Sequence, residues 1–133
     1  MKYMLLMKYE GGAGCDKPMD TWPPEDITAH IEFQRALGKE LAAAGELVDA
    51  QGLSGPDLAR IVTSDGVGAP VVTDGPFLES KEFLAGFWVV DVEPPERAVE
   101  ITAKASSAPG IGGVPIQQPI EVRPMMDVPG ADV

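Results

Sequence analysis

One histidine, one cysteine and one carboxylate ahead of a Gly-Pro turn are the residues best suited to chemistry in this chain. His30 lies in Ala29-His30-Ile31, Cys15 in Gly11-Gly12-Ala13-Gly14-Cys15-Asp16, and Asp74 in Asp74-Gly75-Pro76-Phe77. Imidazole titrates nearest to neutral pH, so His30 is the candidate general acid or base. Its alternative is a core-facing ring bonded to a backbone carbonyl. Gln34, one helical turn on, either orients a ligand carbonyl or fills its own hydrogen bonds. Asp74 either joins His30 or a polar ligand, or accepts backbone N–H bonds and fixes its own turn; the turn role is the expected one. Gly75 supplies a backbone shape that a β-carbon would block, Pro76 follows in the turn, and Phe77 is expected to plug the core. Tyr9 and Trp88 either line a pocket or pack in the core. Arg123 alternates away from Ile120 and Val122, where it either clamps a ligand carboxylate in an inter-subunit cleft or pairs across the sheet.

Other chemistries fall away. The Gly-rich run before Cys15 lacks the Lys-Ser/Thr ending of a phosphate loop and the spacing of a dinucleotide fingerprint. Cys15 has only Lys17 as a nearby cation and no second histidine as a dyad partner, so it is not expected to be a nucleophile. One histidine and one cysteine cannot build a zinc site, and no calcium-loop pattern appears. No metal and no cofactor is expected.

Charge narrows the partners. Across 133 residues, 10 Lys+Arg stand against 21 Asp+Glu, a net −11. Nucleic-acid and anionic-membrane binding both draw on clustered cations, so neither partner is expected. No apolar run reaches the roughly 18 residues of a membrane span. The start, Met1-Lys2-Tyr3-Met4-Leu5-Leu6-Met7, is broken by Lys8 and reads as a strand, so a cytoplasmic location is expected. The length suits one domain, expected over residues 1–126 with a tail at 127–133.

The elements that must position these residues follow from periodicity. Residues 3–9 are apolar on both alternating faces, as in a central strand. Residues 10–21 read as a mobile Gly- and Asp-containing loop. Pro23-Pro24-Glu25-Asp26 opens a helix to about Ala44, with Gly45 as its stop. Ile27, Ile31, Leu37 and Leu41 share one face, with His30 and Gln34 inside it. A strand at 46–54 follows, with a bulge expected at Gly52. Asp65-Gly66 between β-branched runs marks a hairpin. Residues 85–92 form the second two-faced strand, and Pro94-Pro95-Glu96 opens a second helix carrying Ala98, Ile101 and Ala105 inward. An edge strand at 119–125 closes the chain. The order is β-α-β, a hairpin insertion, then β-α-β: an α+β, ferredoxin-like repeat. Two helices cover only one sheet face, which predicts a face-to-face homodimer.

Val72-Thr73-Asp74-Gly75-Pro76-Phe77, then Glu79, Lys81 and Glu82, then Gly86-Phe87-Trp88-Val89-Val90-Asp91-Val92, resembles the DGPF-motif branch of the YCII-related family. The likeness extends to the first strand, to Leu41-Ala42-Ala43-Ala44-Gly45 and to Val122-Arg123-Pro124. It implies a dimeric α/β barrel built on the ferredoxin-like unit. Relatives of that architecture include isomerases, dehalogenating enzymes and proteins that only bind. Members of the branch are also associated with extracytoplasmic-function sigma factors. Simpler members pair a helix histidine with an aspartate in an Asp-Pro string after the second helix. His30 resembles that histidine by position, while the later region here reads Ala108-Pro109-Gly110 and has no carboxylate.

Two functions are therefore expected. The first is a pocket for a small polar organic molecule, with cofactor-free isomerase- or lyase-like proton transfer by His30. The second is a non-catalytic dimeric module linked to sigma factors.

Overall fold

The computed structural model describes residues 1–8, 12–15, 17–75 and 83–127. Its elements are β1 (Lys2–Lys8), α1 (Pro24–Ala43), β2 (Leu47–Gly52), β3 (Arg60–Thr63), β4 (Val71–Asp74), β5 (Leu84–Asp91), α2 (Pro95–Ser106) and β6 (Ile120–Pro124). Most of the expected tail, residues 128–133, lies outside the described residues.

The four strands β1, β2, β5 and β6 form one antiparallel sheet in the order β2-β5-β1-β6. Strands from the two β-α-β units alternate in it, the split arrangement that the sequence order predicts. Both two-faced apolar strands, β1 and β5, are central, and β6 is an edge. The class is α+β.

Both helices start on proline and acid. In α1, Pro24 takes the first turn, with Glu25 and Asp26 beside the positive end of the helix dipole. The helix stops in a Schellman motif. Gly45 (φ +72°) donates to the Ala42 carbonyl at 3.1 Å and Glu46 to the Leu41 carbonyl at 2.9 Å. Its buried residues are His30, Leu37 and Leu41, with Gln34 half-buried between them. Ile31 falls outside this stripe and is exposed, contrary to expectation. The helix is rotated so that Gly38 meets Trp88; a β-carbon there would lie 3.7 Å from the indole. In α2, Ala98, Ile101 and Ala105 face inward as expected, and buried Thr102 donates its hydroxyl to the Ala98 carbonyl at 2.7 Å.

The core lies between the helices and one sheet face. Tyr3, Leu5, Trp88 and Val90 pack there against Leu37, Leu41 and Ile101. Alternation sends Met4, Leu6, Phe87 and Val89 to the opposite face, which neither helix covers. Arg123 and Glu121 flank it, across from Met4 and Leu6.

Two local expectations change. The register break in β2 falls between Leu47 and Asp49, around Val48, while Gly52 pairs regularly with Gly86. Part of the loop read as mobile is held. Gly12 and Cys15 form a bridge, and Gly14 donates to the Ile116 carbonyl at 2.9 Å. The physical reason is backbone-to-backbone contact: a β-carbon at Gly12 would overlap the Gln117 carbonyl, and one at Gly14 the Pro115 carbonyl. The expected hairpin forms as β3 and β4, a separate two-stranded ribbon.

Candidate functional site

The site is a cleft between α1, the Gly12–Cys15 segment, the ends of β2 and β5, and the root of the hairpin. His30, Gln34, Trp88, Asp74 and Gly75 all line it, as does Cys15. Arg123 does not. Among the other sequence candidates, Tyr9, Pro76 and Phe77 lie outside the described residues.

His30 is buried, with 3% of its surface exposed. Its Nδ1 lies 2.9 Å from the Pro109 carbonyl oxygen. A carbonyl only accepts, so Nδ1 is the donor in this bond and Nε2 is the nitrogen left for another partner. Nε2 has no hydrogen bond among the described residues. Trp22 stands edge-on to the imidazole, ring centroids 5.4 Å apart and planes at 85°. Trp22 is itself held by its Nε1–H, which donates to the Lys17 carbonyl at 3.0 Å.

The segment that supplies the Pro109 carbonyl is tied to α1 a second time, since Gly112 N–H donates to Asp26 Oδ2 at 3.2 Å. Within the segment, Gly110 donates to the Val114 carbonyl and Ile116 to the Ala108 carbonyl. Gly110 must lack a β-carbon, because one would meet Ile116 Cγ2 at 2.6 Å. His30 and Asp26, one turn apart on α1, thus pin the far wall of the cleft.

Asp74 does not partner His30. Its side chain is 95% exposed, and its ionic partner among the described residues is Arg60, whose Nε is 3.9 Å away. The rest of its turn, from Pro76 on, lies outside the described residues, and so does the expected turn-fixing role. Asp65 fixes the turn between β3 and β4: its Oδ1 accepts the N–H groups of Val67 and Gly68, each at 2.9 Å. Those two donors hold the Asp65 carboxyl below its usual range, Gly68 contributing most. Gly75 does need its freedom, with φ +66° and an N–H donated to the Ala59 carbonyl at 2.7 Å.

Gln34 lines the cleft with no hydrogen bond among the described residues. Trp88 belongs to the core and also forms cleft wall, and its buried Nε1–H has no partner among them. Arg123 sits on the uncovered sheet face, largely exposed, with Glu121 Oε1 3.7 Å away. Among the described residues no three His, Cys, Asp or Glu side chains group to hold a metal ion. No helix among them is long and apolar enough to cross a membrane.

Residues 1–114 match the model of the YCII-related domain. The chain belongs to the YCII-related family. An uncharacterized protein of Rhizobium meliloti (strain 1021) is 30% identical over 105 residues, which span 78% of this chain and 79% of that relative. In this YCII-related chain, the stretch where the resemblance implies an aspartate for the helix histidine presents a main-chain carbonyl. Pro109 accepts the His30 N–H in its hydrogen bond without any carboxylate.

Sequence reading missed Trp22, Asp26 and Pro109 as parts of the site. Trp22 carried a readable signal, being an aromatic just ahead of the Pro-Pro helix start and two turns before His30. The Pro109 carbonyl carried none, because a backbone acceptor has no residue signature.

Proposed function

We propose that this YCII-related protein is a homodimer that holds a small organic molecule in the His30 cleft, and that His30 serves first as the pin of the cleft wall. The observation that carries this reading is the 2.9 Å bond from Nδ1–H to the Pro109 carbonyl in a ring only 3% exposed, with no carboxylate among the described residues bonded to it. A catalytic imidazole commonly has its rear nitrogen oriented by a carboxylate that stabilises the charged ring. A carbonyl fixes the tautomer but adds no counter-charge. Gln34 offers both donor and acceptor to a ligand, and the Trp88 indole gives the cleft an aromatic wall. Placement in the DGPF branch rests on Asp74 to Phe77.

The dimer reading is supported by the uncovered sheet face. Met4, Leu6 and Phe87, each half-buried, and Val89, already buried, form an apolar strip that one chain leaves without a helix layer. A two-fold face-to-face pairing would bury it and build the dimeric α/β barrel implied by the family. Arg123 would then lie at the seam.

One observation favours a second reading. Nε2 has no hydrogen-bond partner among the described residues, which suits proton transfer in an isomerase- or lyase-like reaction.

Native mass spectrometry of the purified protein tests the main reading. Expected is a dimer mass carrying a small molecule whose retention is weakened in His30→Ala. Hydrogen exchange of residues 110–118 should quicken in that variant, since the pin is gone. A monomer without adduct, or unchanged exchange together with loss of a measured turnover, would overturn it. Phe87→Asp should dissociate the dimer.

A further inference from the structure

The β3–β4 hairpin has the composition of a buried strand pair and the surroundings of a free one. Among the described residues its strands pair only with each other, and every residue of both is exposed. The register sets Val62 opposite Val72 on one face, and Ile61 opposite Thr73 and Thr63 opposite Val71 on the other. Both faces therefore carry β-branched aliphatic side chains, beside the Arg60–Asp74 pair on the first and Thr63 and Thr73 on the second. Among the described residues neither side is covered: Val62 is 58% exposed, Val71 62% and Ile61 44%. A two-stranded ribbon by itself is at best marginally stable in water, and uncovered edges of this kind invite pairing with another chain.

Three features say what covers it. The chain carries net −11, yet the hairpin from Arg60 to Asp74 holds only Arg60, Asp65 and Asp74 as charges. Two copies of so acidic a chain repel through most of their surface, and the hairpin and the uncovered sheet face are where that repulsion is least. An anionic membrane is disfavoured by the same charge. The second feature is continuity. Asp74 and Gly75 at the hairpin root line the same cleft as Ala85 and Phe87, and Phe87 belongs to the uncovered sheet face. A body seated on that face therefore meets the hairpin. The third is size. The cleft measures about 1960 Å³, beyond the ~300–1,000 Å³ usual for small-molecule sites. A trough of that size has room for a segment of a twin molecule as well as for a small ligand.

We propose that the β3–β4 hairpin is an arm that packs on a second copy of this chain, each copy's arm lying against its twin. This rests on the homodimer reading and names a contact that the sheet-face pairing alone does not require. The exposed strands of the arm carry no part of the core, so changes in them leave the body folded.

The test is sedimentation velocity on the full chain at micromolar concentration, with circular dichroism to confirm the fold. Two double variants probe the two arm faces: Val62→Lys with Val72→Lys, and Ile61→Lys with Val71→Lys. At least one should weaken the dimer by a hundredfold or more, on the order expected when two aliphatic side chains are no longer buried, while helix and sheet signals match the parent. If both double variants dimerise like the parent while Phe87→Asp is monomeric, the arm proposal fails and the sheet-face dimer stands. If the parent chain is itself monomeric, both fail. A monomeric parent that binds a sigma factor through the arm would likewise overturn the proposal, by naming a different occupant.

Discussion

Valine does opposite things in two parts of this molecule. In β5, Val90 is fully buried; in the hairpin, Val62 and Val72 are 58% and 50% exposed. Both stretches have the β-branched composition of strands, and both form strands. The difference is cover. The β5 strand lies between two neighbours with helices across one face, while among the described residues β3 and β4 have only each other. Side-chain type thus selects extended backbone, and its energetic consequence depends on what the rest of the fold brings against it.

Truncation can break that contrast. Leu5 is fully buried at the centre of the core, so Leu5→Ala should cost ~2–5 kcal/mol in urea unfolding. Val62→Ala should change single-chain stability by less than about 0.5 kcal/mol, because its side chain leaves no cavity. A Val62→Ala loss comparable to that of Leu5→Ala, measured in a monomeric variant, would mean that the arm is packed within its own chain.

Glycines sharpen the contrast at the next level. Gly14→Ala would drive a β-carbon into the Pro115 carbonyl. Backbone cannot rotate away as a side chain can, so destabilisation of at least the ~1–3 kcal/mol of an overpacked core is expected. Gly52→Ala meets nothing within 4 Å and should be close to neutral. His30→Ala should fall in a similar range to Gly14→Ala, about 1–3 kcal/mol, since it strands the Pro109 carbonyl. The amides of residues 110–118 should report the loss by faster exchange.

The strands, helices and their order could be read from the sequence because each rests on local rules. Pro-Pro-Glu opens both helices, Gly45 stops the first, and Asp65-Gly66 turns the hairpin. The central place of β1 and β5 was legible too, from apolar residues on both faces. The site was legible only where a side chain announced itself. His30 and Gln34 stood out as polar residues within an apolar stripe, and both reach the cleft. Pairing His30 with Asp74 was not decidable from spacing, because a separation of 44 positions leaves their relative placement to tertiary packing. The actual partner is a peptide carbonyl. The rotation of α1 past Ile31 depends on Gly38 meeting Trp88, a contact between elements that no local pattern encodes. Likewise, the need for Gly12 and Gly14 comes from residues 115–117, about a hundred positions downstream.

Ion pairs repeat the comparison on a smaller scale and give it a pH signature. In the body, Arg97 bridges α2 to the end of α1, its Nε and NH2 each 2.8 Å from the Glu46 carboxylate, with side chains 26% and 17% exposed. In the arm, Arg60 and Asp74 are 3.9 Å apart and 72% and 95% exposed, a geometry that contributes little. The hydrogen bonds from Arg97 pull the Glu46 carboxyl below its ordinary value of about 4.5. A depressed folded pKa adds stability that is fully present above the unfolded value and is lost as pH falls through the folded one. Part of the parent protein's acid sensitivity below about pH 4.5 should therefore come from Glu46. The Glu46→Gln variant should be less stable than the parent at pH 7, and the gap should close as pH drops below that point. Asp74→Asn should show no such convergence. Thermal melts of both variants between neutral and acid pH read this directly, and a gap in Glu46→Gln that stays constant with pH would show that the bidentate pair contributes through shape and not through charge.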